Sequence, residues 1–181
     1  MSRFIEWLES ANARDTRVRA VLRRGLAFEP GTYPPAFPWV EPFLTDDVGG
    51  WRRAAHYLVA ALWAAHWKEG RSGDLLSMGR AVAHHAHQRH THEQLDSGAS
   101  STERRFVALL DSDADQLGHR LRQMVALLKD ERLDFGALLG DLLRWHAAHK
   151  PAQQQWARDY YRAMRPDPVT DHTAPAQEEN P

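Results

Sequence analysis

Histidines are the side chains of this sequence that most directly invite a chemical interpretation, because several of them lie close together. Of the 11 histidines, five lie within one short stretch, at His84, His85, His87, His90 and His92. Residues three apart on a helix share a face, so His84 with His87, or His87 with His90, could hold a metal ion. However, neither an HExxH pattern nor the paired ExxH pattern of a di-iron bundle accompanies them. We therefore interpret the stretch as a polar helix end that enters a loop, and we expect neither a metal nor another cofactor.

Two further histidines, His56 and His66, lie in an apolar segment that is typical of a helix. Together with the cluster they could form the site of a stand-alone helical hydrolase that uses a divalent metal, and this alternative stays open. Single histidines on such a helix are more often core or rim residues whose hydrogen bonds are satisfied. The sequence also contains no nucleophile elbow, P-loop or Gly-rich dinucleotide turn. We therefore expect a protein that is not an enzyme.

Arginines form the second pattern, since lysine occurs only at Lys68, Lys129 and Lys150. The arginines form stripes beside the apolar faces of several predicted helices, where their planar guanidinium groups suit bidentate contacts with phosphate. The candidate residues for such contacts are Arg17, Arg23, Arg24, Arg104, Arg105, Arg120, Arg122, Arg158 and Arg162. Because no base-reading module accompanies them, we expect contacts with sugar–phosphate backbones rather than recognition of base sequence.

Other classes of protein would use arginines differently. A protein-only adaptor, whose arginines pair with acidic partners, stays open as an alternative. A sequence-specific transcription factor is disfavoured, because Pro-rich chain follows Gly25 where a recognition helix would be needed.

The elements that position these residues are predicted to be helices, because alternating β-branched runs are nearly absent. We predict an all-α, two-lobed helical bundle. Residues 1–95 form an N-terminal helical lobe that contains a Pro- and aromatic-rich segment, and residues 96–165 form a C-terminal helical lobe. Residues 166–181 are predicted to be a disordered acidic tail.

Predicted helix ends follow from capping residues. Asp74 is expected to cap a helix over residues 75–89, and Ser100 with Glu103 has the spacing of a capping box. Asp134 is expected to begin a helix that reaches about residue 148, and Pro151 suits the first turn of the last helix.

The amino-acid composition excludes further kinds of site and classes of protein. The chain has no cysteine, so disulfides and Cys-ligated zinc are excluded. No apolar run approaches the ~20 residues of a membrane span, and no signal-peptide core is expected at the N-terminus. We expect a cytoplasmic protein that does not enter membranes. The net charge is −1, but the tail holds four acids and no Lys or Arg, which leaves 20 acids against 23 bases in the remainder.

Four segments, in their order along the chain, resemble one protein family. They read RVRAVLRRGLAFEPGTYPPAFPWVEPF, HYLVAALWAAHW, STERRFVALLDSDADQLGHRLRQMVALLK and LDFGALLGDLLRWHAAHKPAQQQWARDYYR. The last of them carries Asp141, Trp145, Trp156 and Tyr161 at the expected kinds of position. Together they resemble the CasB family, the small subunit of the type I-E CRISPR Cascade complex, over about residues 3–165.

This resemblance implies a two-lobed helical protein with no catalytic activity of its own. Its expected partners are CRISPR RNA, target DNA, the displaced non-target strand, the backbone and large subunits of Cascade, and a second copy of itself. Its expected role is to steady the guide–target duplex and the displaced strand. The resemblance does not explain the stretch from His84 to His92, which is not identified as a feature of the family.

Overall fold

The computed structural model of the chain describes residues 2–45, 49–69, 73–90 and 100–165. Its regular structure in these ranges is helical, apart from one isolated bridge between Leu76 and Leu133, so the prediction of an all-α helical bundle is confirmed. The helices are α1 (Arg3–Arg14), α2 (Arg17–Arg24), α3 (Phe37–Val40), α4 (Gly50–His66), α5 (Met78–His90), α6 (Ser101–Leu110), α7 (Ala114–Leu127), α8 (Phe135–Leu143) and α9 (Pro151–Ala163). Short 3-10 turns cover Gly25–Ala27, Pro34–Ala36 and Glu41–Phe43.

Helix α4 lies at the centre of the bundle, because its side chains are buried on nearly every side. Every residue from Ala55 to Ala64 is buried, and α4 contacts α2, α7 and α8. A helix that is apolar all round is stable only when other helices cover it. Two of the helices that carry candidate arginines, α2 and α7, therefore pack directly on this central element.

Capping side chains set several helix starts where the sequence placed them. Ser100 Oγ accepts a hydrogen bond from the Glu103 amide at 3.1 Å, and Asp134 Oδ1 accepts one from the Ala137 amide at 2.8 Å. Pro151 occupies the first turn of α9. These predictions are confirmed, because a cap depends on residues only three positions apart.

The start of α5 differs from the prediction. Asp74 does not begin a helix at residue 75, since α5 begins at Met78. The Leu76 amide donates to the Arg132 carbonyl at 2.7 Å, and the Leu76 carbonyl accepts from the Asp134 amide at 2.9 Å. This pairing with a distant segment holds the chain extended where local sequence favoured a helix.

The end of α8 also differs, because the helix stops at Leu143 rather than near residue 148. Trp145 turns inward and is buried, and its carbonyl accepts from Gln153 Nε2 at 3.0 Å. Its ring packs against Trp156 with centroids 5.1 Å apart. Burying two tryptophans at this corner outweighs one more turn of helix.

The Pro- and aromatic-rich segment packs over the core. Trp7 Nε1 donates to the Trp39 carbonyl at 3.0 Å, and Phe4 meets Phe43 edge to face at 5.4 Å. Phe28 and Phe37 stay more exposed than the other aromatics of the segment.

The division into two lobes stays a prediction. Most of its boundary, residues 91–99, lies outside the described residues, as does the predicted tail 166–181. Helices α5 and α9, one from each predicted lobe, form the most extensive helix pair. Within the described ranges, no helix combines the length and the apolarity that crossing a bilayer requires.

Candidate nucleic-acid interface

Three of the predicted arginines meet in one groove between α6 and α7. On α6, Arg104 and Arg105 lie on the exposed face that also carries Ser101 and Ala108. On α7, Arg120 faces them across a cavity of about 280 Å³. We call this the α6–α7 groove, and its lining residues are Ser101, Arg104, Arg105, Ala108, Arg120, Gln123 and Met124. Helices adjacent in sequence and joined by a short turn pack antiparallel, which brings these arginines together.

In the groove, Arg120 donates hydrogen bonds to an uncharged side chain. Arg120 donates from Nε at 3.0 Å and from Nη2 at 2.6 Å to the Oε1 atom of Gln116, one turn earlier. That acceptor is a neutral amide, so it orients the guanidinium without cancelling its charge. Among the described residues, no carboxylate lines the groove. The arrangement suits an anion with spaced charges, such as a phosphate backbone.

The arginines of α2 form a second basic surface. Arg17 and Arg24 lie on one face, seven residues apart, and Arg23 lies on another; all three are exposed. Arg17 is partly neutralised, because its Nη2 lies 2.9 Å from Asp15 Oδ2. Hydrogen bonds from Arg17 lower the pKa of the Asp15 carboxyl below its ordinary value. Arg23 and Arg24 are therefore the stronger candidates of the three.

The arginines of α9 form a third basic surface. Arg158 and Arg162 lie with Arg165 around Tyr161, and Arg158 Nη2 donates to Gln154 Oε1 at 3.0 Å. Tyr161 Oη donates to Glu103 Oε1 at 3.1 Å, which ties this surface to the first turn of α6. The predicted stripe of Arg158 and Arg162 is present, but the carboxylate of Glu103 lies beside it.

Arg122 is separated from the other candidates. It lies two residues after Arg120 and therefore points to the opposite flank of α7, since each helical residue advances by about 100°. It lines a small cleft with Leu22, Gly25 and Tyr33, and its Nε atom is buried without a hydrogen-bond partner. The role of Arg122 in nucleic-acid contact stays a prediction, and α2 and the Pro-rich segment leave this side chain only half-exposed.

Two groove residues, Ser101 and Gln123, were not among the predicted contacts. Neither carries a charge, so a search for cationic stripes passes over them. The i, i+3, i+4, i+7 spacing of positions 101, 104, 105 and 108 is the signal that identifies Ser101 as part of the same helix face.

Several of the histidines form hydrogen bonds within the fold. His56 Nδ1 donates to the Arg52 carbonyl at 2.7 Å, and His66 Nε2 donates to the Leu128 carbonyl at 2.9 Å. His84 Nδ1 donates to the buried Glu131 carboxylate at 2.7 Å. Across the described residues, no three or more His, Asp or Glu side chains are grouped to hold a metal. The side chain of His90, and all of His92, lie outside the described residues.

His56 makes stability depend on pH. Burial lowers the pKa of His56 below its ordinary value of 6.5. As the pH falls below about 6.5, the unfolded chain takes up a proton at this site before the folded chain does, so folding loses stability. Above that pH both states are neutral here and nothing is lost. We expect the free energy of unfolding, measured with urea from about pH 7.5 to about pH 5, to fall less steeply in His56→Leu than in the wild type. Equal slopes would contradict this account.

The sequence is similar to a described family over most of its length. The family model for CRISPR-associated protein Cse2 matches residues 18–161. A Thermus thermophilus protein described as CRISPR-associated protein Cse2 is 45% identical over 166 residues, which is 89% of this chain and 89% of that protein. A crystal structure of a Cse2-family protein from the same organism has a TM-score of 0.74 and 43% identity, and covers 89% of this chain and 99% of that one. A chain from a solved CRISPR RNA-guided surveillance complex has a TM-score of 0.71 and 26% identity, and covers 89% of this chain and 91% of that one.

Proposed function

The chain belongs to the Cse2 family of CRISPR-associated proteins, and from this premise we propose that it is the non-catalytic small subunit of a type I-E Cascade surveillance complex. In that complex it contacts the backbones of the guide RNA and target DNA and the displaced strand. These contacts stabilise the R-loop during antiviral defence. The similarity to a chain of a CRISPR RNA-guided surveillance complex supports membership of such an assembly.

The observation that carries the proposal is the α6–α7 groove. It gathers Arg104, Arg105 and Arg120 around one cavity whose described lining holds no carboxylate. A surface of this kind attracts phosphates, and its described lining holds no aromatic side chain that could stack on bases. Sequence choice is then left to pairing between guide and target.

The energetics of R-loops explain why such a subunit is useful. The RNA–DNA heteroduplex that forms is about as stable as the DNA duplex it replaces, so the exchange is nearly balanced. A few protein contacts with the backbones are therefore enough to shift it towards the opened state. The proposed partners are CRISPR RNA, both target strands, the backbone and large subunits, and a second copy of the chain.

The first test is purification of the tagged chain from its native host, followed by analysis of what co-purifies. We expect a large ribonucleoprotein that contains a short guide RNA, because the family resemblance implies assembly around the guide. Recovery of acidic protein partners without RNA would favour the adaptor alternative. Recovery of a lone chain that carries zinc or iron would overturn the proposal and favour the hydrolase.

A further inference from the structure

An exposed aromatic pair lies directly after the basic helix α2. The rings of Phe28 and Tyr33 are stacked, with centroids 4.6 Å apart and an interplanar angle of 13°. Phe28 is 40% exposed, whereas Tyr33 is partly buried against the core. Tyr33 covers one face of the Phe28 ring, so a ligand that stacks on Phe28 would use the opposite face.

The segment around this pair is held in place by several contacts. The Phe28 amide donates to the Gly25 carbonyl at 3.1 Å, and the Thr32 amide and hydroxyl donate to the Glu29 carbonyl at 3.0 and 2.8 Å. Gly31 turns the chain with a φ of +90°, which favours glycine, and packs close to the Tyr57 ring. The Phe28 ring is thus positioned before any ligand arrives, which reduces the entropy cost of binding.

The helix that precedes this ring ends in two arginines. Arg23 and Arg24 end α2 and are exposed, and only the 3-10 turn Gly25–Ala27 separates them from Phe28. Glu29 is the adjacent carboxylate and is also exposed. Two exposed cations and a partly exposed aromatic residue in one short stretch match the pattern by which proteins hold single strands, with phosphates on the cations and a base on the ring.

We propose that Phe28, supported by Tyr33, stacks against an unpaired nucleobase while Arg23 and Arg24 contact the neighbouring phosphates. This inference rests on the proposed function and assigns the end of α2 to single-stranded nucleic acid. In a duplex, neighbouring pairs cover the faces of each base, so none is free to stack on Phe28. The surface therefore takes the displaced strand in preference to the guide–target duplex.

The test measures binding of the purified full chain to an unstructured oligodeoxythymidine and to a matched duplex at several salt concentrations. We expect Phe28→Ala to weaken single-strand binding about tenfold, since stacking on one base typically contributes that much. Its salt dependence and its duplex binding should match the wild type. Phe28→Trp should retain single-strand binding, because it keeps an aromatic face.

Two further variants separate stacking from charge. Phe37→Ala removes an aromatic of similar exposure that meets Tyr57 edge to face rather than lying stacked, and it should leave binding unchanged. The double variant Arg23→Gln/Arg24→Gln should bind both the single strand and the duplex more weakly, and the affinity should depend less steeply on salt.

The outcomes distinguish this inference from the proposed function. If Phe28→Ala binds the single strand like the wild type while the double arginine variant binds weakly, the stacking site is wrong and backbone binding stands. An equal loss on single strand and duplex would also overturn the stacking site. If the wild-type chain binds neither DNA, the stacking site is contradicted, whereas the proposed function is tested separately by what co-purifies with the chain.

Discussion

Replacing Arg104, Arg105 and Arg120 together by Gln should lower the affinity of the assembled complex for opened target DNA by about 100-fold. Each exposed contact between Arg and phosphate contributes about 1 kcal/mol, and three lost contacts together correspond to a change of that size. The slope of log affinity against log salt should become shallower by about 2 to 3, because fewer counterions are released. The measurement is the equilibrium binding of target DNA by the complex at several salt concentrations.

A matched control removes the same charge elsewhere. Arg3, Arg52 and Arg80 are exposed and lie outside the groove, so their triple replacement by Gln should change the affinity only slightly. The groove variant should remain folded, because each substitution of a surface residue usually changes stability by less than about 0.5 kcal/mol. Equal losses in the two triple variants would show that net charge, rather than the groove, determines binding.

Gly79→Ala should destabilise the fold by about 3 kcal/mol, since the substitution adds volume where two helices touch. Gly79 lies on α5 where it meets α9. A Cβ atom there would lie 2.2 Å from the Trp156 carbonyl oxygen and 2.8 Å from Asp159 Cβ. The first of these atoms belongs to the backbone, so it can move away only if α9 shifts as a whole.

Helix α9 has little freedom to shift, because burial and a hydrogen bond hold its tryptophan in place. Trp156 is fully buried, and its Nε1 atom donates to Asp141 Oδ2 at 2.7 Å. Asp159 Oδ2 also accepts from Ser77 Oγ at 2.8 Å, which ties α9 to the start of α5. The added methyl group therefore strains the contacts between the start of α5 and α9.

The control for this variant is Gly118→Ala. Gly118 also lies within a helix, but a Cβ atom there would meet nothing within 4 Å. Alanine should stabilise α7 by about 0.5–1 kcal/mol, because it costs less backbone entropy than glycine. Urea unfolding of both variants measures the difference. A Gly79→Ala protein as stable as the wild type would show that α5 and α9 are not packed this closely.

The amino-acid sequence by itself determined the features that depend on neighbours along the chain. The helical class follows from local periodicity, and the caps at Ser100 and Asp134 follow from residues three positions apart. The arginine stripes were visible for the same reason, since residues on one helix face are three or four positions apart. The order of four segments also indicated the family, which the comparisons confirm.

The tertiary structure decided what depends on contacts between distant segments. Pairing of Leu76 with the segment around Leu133 removed the helix start expected at Asp74. Packing of α7 between its neighbours placed Arg120 in an open groove and Arg122 in a cleft, although the two are only two residues apart. Which flank of a helix meets solvent is set by the helices that cover the other flank. No local pattern contains that information, because it depends on how the whole bundle excludes water from its core.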